Sequence, residues 1–116
     1  MEKKTINIAG KQVGIAYCYA TEITFKRYTD KSVEEFDATN PEHVLYLILS
    51  AIMPYYLSRD EEVPVTADEL MYQSSPEELI DALKEVLSLR NAWYKLPEGE
   101  PTDEPTEETE GDKKNA

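Results

Sequence analysis

At 116 residues the chain has room for one domain with a modest core, and its formal net charge of −12 disfavours ordinary binding to phosphate backbones. Its one histidine, His43, and one cysteine, Cys18, exclude an intramolecular disulfide and the usual zinc clusters. The opening MEKKTINIAG has no apolar run behind its lysines, so it does not read as a secretory signal, and a cytoplasmic protein is expected.

The first element expected is a β-hairpin. Ile6 and Ile8 alternate with Thr5 and Asn7, Ala9-Gly10-Lys11 supplies a turn, and Val13, Ile15, Tyr17 and Tyr19 alternate with Gln12, Gly14, Ala16 and Cys18. Period-two alternation on both sides of a glycine is the pattern of a half-buried antiparallel pair, which needs a helix on its apolar face. Within this run Cys18 reads as a small buried hydrophobe.

Four helical segments follow. Thr21 is a candidate cap for the first, with Ile23, Phe25 and Tyr28 as its inward residues and an end near Thr29-Asp30. Val33–Phe36 fits a single turn. Asn40-Pro41-Glu42 is a helix start: an asparagine cap, a proline at the first helical position and a glutamate facing the positive dipole end. Thr66-Ala-Asp-Glu69 and Ser75-Pro-Glu-Glu78 are capping boxes. The last helix places Leu79, Ile80, Leu83, Val86, Leu87, Arg90, Trp93 and Tyr94 near one face, with Glu77, Asp81, Lys84, Glu85 and Ser88 opposite.

The segment opened by Asn40 carries the uncharged stretch VLYLILSAIMPYYL, Val44–Leu57. It is shorter than the roughly 20 apolar residues of a bilayer span, and Arg59-Asp60-Glu61-Glu62 follows it, so no membrane association is expected. Val44–Met53 reads as a central buried helix. Pro54 lacks an amide hydrogen and crowds the carbonyl of Ser50, which predicts a kink or an end near Met53 and a new direction for Tyr55, Tyr56 and Leu57. From Leu96 onward eight carboxylates and two lysines carry half of the net charge, among three prolines and two glycines. Residues 97–116 are therefore expected to be a disordered acidic tail, leaving 1–96 as the folded domain. The fold class is α+β, mainly α: an N-terminal β-hairpin packed on a small bundle of about four helices.

Catalytic patterns are sparse. There is no glycine-rich phosphate loop, and the acidic run after Arg59 lacks the alternating oxygens and central glycine of a calcium loop. His43 stands alone in a first helical turn, where a cap or surface role fits better than catalysis. The sequence reads as non-enzymatic, with no catalytic residues, no cofactor and no metal. Lys3-Lys4 and Lys26-Arg27 are too few for a nucleic-acid patch.

In order and type, these features resemble the tail assembly chaperones of long-tailed bacteriophages and prophages. The resemblance spans nearly all of residues 5–95. It is carried by the I-x-I-x-G-K hairpin Ile6–Lys11, the helix core Glu22-Ile-Thr-Phe-Lys-Arg27 and the leucine- and tyrosine-rich helix opened by Asn40-Pro-Glu-His-Val-Leu-Tyr-Leu-Ile48. The T-x-x-E-L turn Thr66–Leu70 and the final helix Leu79–Tyr94, ending in aromatics, complete it. The family pattern has a glycine after the first helix, where this chain has Thr29-Asp30-Lys31.

The resemblance implies partners, namely the long helical tape-measure protein and the tail-tube protein, and a function: keeping the former soluble and presenting it to the latter. A chaperone for such a client needs an accessible apolar surface rimmed by charge. Tyr55, Tyr56, Leu57, Trp93 and Tyr94 are the candidate partner-binding anchors, because aromatics supply large contact areas. The competing assignment for Trp93 and Tyr94 is closure of the base of the core. Self-association is left open. Two rival functions remain, an acidic inhibitor that mimics DNA and a small regulatory adaptor. Half the charge excess lying in the tail weighs against the DNA mimic.

Overall fold

The computed structural model describes residues 3–94; the expected acidic tail, and with it the domain boundary at residue 96, lies outside the described residues. Strands β1 (Lys3–Ile8) and β2 (Lys11–Ala16) pair antiparallel with Ile6 opposite Val13 and Ile8 opposite Lys11. The loop is therefore only Ala9-Gly10. Both residues have positive φ, 53° and 72°, as a two-residue turn matched to strand twist requires.

Cross-strand partners share a face. Ile6, Ile8, Val13 and Ile15 fall on one side and are buried. Lys4, on that same side, reaches Glu85 at 2.9 Å and Ser88 at 3.3 Å. Both belong to the last helix, α4 (Pro76–Tyr94). At the other end of α4, the Glu78 carboxylate accepts the Gly10 amide at 3.3 Å. The helix thus lies along the hairpin from its turn to its open end.

Helix α1 (Tyr19–Thr29) begins three residues earlier than expected. Its cap residue is Cys18, not Thr21, so Cys18 is half-exposed at a helix start rather than buried in a strand. Thr21 is fully buried in the first turn. Its hydroxyl accepts the Cys18 amide at 3.2 Å and donates to the Ala16 carbonyl at 3.3 Å, joining strand end to helix start. Of the three residues expected inside, only Phe25 is buried; Ile23 and Tyr28 are exposed. Thr21 and Phe25, four apart, share the face turned to the core. At its C-terminus Asp30 takes the left-handed conformation (φ 63°) and its amide donates to the Lys26 carbonyl at 2.8 Å.

A single 3₁₀ turn, Val33–Glu35, leads to α2 (Pro41–Leu57). The Asn40 side chain caps α2, accepting the Glu42 amide at 2.9 Å. His43 is not a surface residue: it is buried beside Phe25, and its Nδ1 accepts the Asp37 amide at 3.0 Å. Leu45 and Leu47–Ile52 are buried, so the apolar stretch is the central helix of the core. The helix does not end near Met53: it continues to Leu57 with Pro54 buried inside it.

A proline inside a helix costs about 3 kcal/mol or more. Tertiary contacts of the last turn oppose that cost. The Tyr56 hydroxyl accepts the Gly14 amide of β2 at 2.9 Å, and the Tyr55 ring lies against Gly14 itself. The Ser58 and Glu61 amides then close the end on the carbonyls of Pro54 and Tyr56.

Both capping boxes form. Thr66 and Glu69 exchange bonds at the start of α3 (Ala67–Gln73), and Ser75 and Glu78 do so at the start of α4. The buried face of α4 is centred on Ala82, Val86 and Leu89, with Leu79, Leu83, Leu87 and Trp93 packed beside it. Ile80 and Tyr94, expected on that face, are exposed instead. The fold class is α+β, mainly α, as the sequence predicts.

Candidate functional site

The five residues singled out from the sequence do not form one surface. Tyr55 and Tyr56 are half-buried; their rings are 4.8 Å apart, the Arg59 guanidinium stacks 4.4 Å over Tyr55, and both tyrosines are held against β2. Leu57 is exposed at the end of α2. Trp93 is half-buried, 5.5 Å from the Tyr17 ring and 4.9 Å from the exposed ring of Tyr19. Tyr94 is exposed, with the Arg90 guanidinium 5.1 Å over its ring and its hydroxyl donating to Glu22.

Glu22 also accepts the Tyr17 hydroxyl, at 2.9 Å, so one carboxylate ties the hairpin end to the end of α4. Burial pushes the Tyr17 phenol well above the ordinary tyrosine value, and its bond to Glu22 adds to the shift. The Tyr94 phenol is raised as well, first by its bond to Glu22. Of this cluster Tyr17 is buried in the core and Trp93 packs against it, while Tyr94 and Tyr19 stay exposed.

A different surface is open. The first turns of α2 and α4 and the short helix α3 enclose a groove of about 640 Å³. Pro41, Val44, Leu45 and Tyr46 line it from α2, Leu70 and Met71 from α3, and Pro76, Leu79 and Ile80 from α4. Met71 and Ile80 are each more than half exposed, at 51% and 56%. Next to Met71, Tyr72 is 82% exposed. Glu42 is the only charged residue in the lining.

Local sequence explains how the groove stays open. The Asn40 cap, the Thr66 box and the Ser75 box fix three helix starts, and α3 is too short to cover the gap between α2 and α4. Sequence reasoning placed Ile80 inside and gave Met71 no role. The available signal was Met71-Tyr72 in a seven-residue helix, which has more apolar surface than so short an element can bury.

Among the described residues, no group of three or more His, Cys, Asp or Glu side chains is placed to hold a metal ion, and no helix is long and apolar enough to cross a membrane. No protein-family model, curated protein or solved structure matches this chain.

Proposed function

We propose that this protein is a tail assembly chaperone of a long-tailed phage or prophage. It acts in the host cytoplasm, shelters an apolar segment of the tape-measure protein and helps deliver it to tail-tube subunits. The observation that supports this is the open groove between α2, α3 and α4. It is a concave apolar surface with half-exposed Met71 and Ile80 at its edge, in a chain otherwise rich in carboxylates. Exposed apolar surface of this kind marks interaction sites in soluble proteins. The order of motifs shared with the chaperone family supplies the identity of the client.

Co-expression with the candidate tape-measure protein is the test. The client should remain soluble with the wild-type chain and precipitate with Ile80→Asp, which places a charge in the groove without touching the core. If the client precipitates to the same extent with and without the wild-type chain, the proposal fails.

A further inference from the structure

We infer that the groove takes an amphipathic helix whose apolar stripe is flanked by lysine or arginine, and that Glu42 reads this charge. The inference rests on the protein-binding function proposed above and specifies the chemistry of the bound segment.

A helix is favoured over an extended segment by hydrogen bonding. Glu42 and Tyr46 bring the only polar side-chain atoms to the lining, and all lining residues belong to or border helices. An extended segment entering there would lose water from its backbone without finding a sheet edge to replace it. A helix satisfies its own backbone and presents only side chains, spaced at i, i+3, i+4 and i+7, to a groove between helices.

The charge preference follows from the groove's neighbours. From Pro41 to Leu57, Ala67 to Gln73 and Pro76 to Asp81, the lining elements carry six carboxylates, and one lysine, Lys84, follows on α4 one turn beyond Ile80. Two of the six are engaged: Glu69 with Lys11, and Glu78 in the Ser75 box and at Gly10. Glu42, Asp68, Glu77 and Asp81 are exposed, and neither ion pair among the described residues involves them. Glu42 in the lining, with Asp68, Glu77 and Asp81 on the same elements against the one Lys84, gives the surroundings a net negative charge that attracts a cationic flank and repels an anionic one.

Two labelled helical peptides of about 18 residues, roughly five turns, test this with the full chain. They share a leucine stripe; one carries lysines on its flanks, the other glutamates. At about 0.05 M salt the lysine peptide should bind at least about tenfold more tightly, and the gap should shrink at about 0.5 M salt, where screening is short-ranged. Glu42→Lys should narrow the gap, with Glu42→Gln intermediate, and Ile80→Asp should weaken both peptides. Both positions changed are exposed, so thermal melts followed by circular dichroism should match the wild type for Ile80→Asp and fall only slightly for the Glu42 variants, which remove a carboxylate from the positive end of α2.

Equal binding of the two peptides would overturn the charge preference and leave the chaperone function standing. Binding of neither peptide, with the client still kept soluble, would overturn the helical occupant. Binding of neither peptide together with failure of the client test would remove both proposals. A dimer in sedimentation that excludes the peptides and dissociates on Ile80→Asp would assign the groove to a second copy of this chain, and the inference would fall.

Discussion

The ring of Tyr55 fills the space that a side chain on Gly14 would need: its nearest atoms lie 2.5 Å from an ideal Cβ at that position. The neighbouring Tyr56 bonds the Gly14 amide, so the last turn of α2 is fastened to β2 at one residue by packing and by a hydrogen bond.

Gly14→Ala should therefore destabilise the domain by about 1–3 kcal/mol, the usual range for forcing a methyl group into occupied space. Urea denaturation measures this. In a Tyr55→Ala background the same substitution should be close to neutral, giving a coupling of about 1 kcal/mol or more. An additive pair would show that the ring moves aside freely.

Tyr56→Phe keeps the ring and removes the acceptor of the Gly14 amide. Leaving a partly buried N–H unpaired costs about 1–3 kcal/mol. A loss near the lower end is expected, together with faster hydrogen exchange of the Gly14 amide. Unchanged exchange would mean that water replaces the phenol without penalty.

Asp30 holds a left-handed conformation at the C-terminus of α1 and places a negative charge at the negative end of the helix. Asp30→Gly removes both disadvantages and should stabilise the protein by about 0.5–1 kcal/mol, seen as a higher urea midpoint with an unchanged slope. A lower midpoint would show that the Asp30 side chain supports the loop to the 3₁₀ turn.

Tyr17 gives the protein a limit in alkali. Its phenol is raised in the folded state, first by burial and then by the bond to Glu22, so the folded chain retains a proton that the unfolded chain releases from about pH 10. Below that pH both states are protonated and this contribution to stability is fully present. As pH rises past about 10 it is progressively lost. The urea midpoint should fall above about pH 10, and Tyr17→Phe should flatten the fall, leaving the smaller contribution of Tyr94. An unaltered alkaline slope in Tyr17→Phe would contradict the assignment.

Local chemistry in the sequence determined the hairpin, its turn at Ala9-Gly10, the three helix starts at Asn40, Thr66 and Ser75, and the burial of Leu45 and Leu47–Ile52. Each depends on neighbours within four residues or on a short period, so each can be read without knowing the partner element. The start of α1 could not be read that way. Thr21 is the locally favoured cap and Cys18 reads as a buried hydrophobe, yet the helix starts after Cys18, with the Thr21 hydroxyl joined to the carbonyl of Ala16, where β2 ends.

Tertiary structure alone decided the course of α2 beyond Pro54. The local rule for an internal proline is a kink or a break, and the contacts of Tyr55 and Tyr56 with Gly14, more than forty residues earlier, oppose an end there. The groove is a tertiary product too. Met71 and Ile80 belong to apolar patterns that would be buried if α3 were longer or lay closer, and their exposure depends on how three capped helices are spaced. Residue patterns specify which side chains seek burial, but the space available to each is set only when the elements meet.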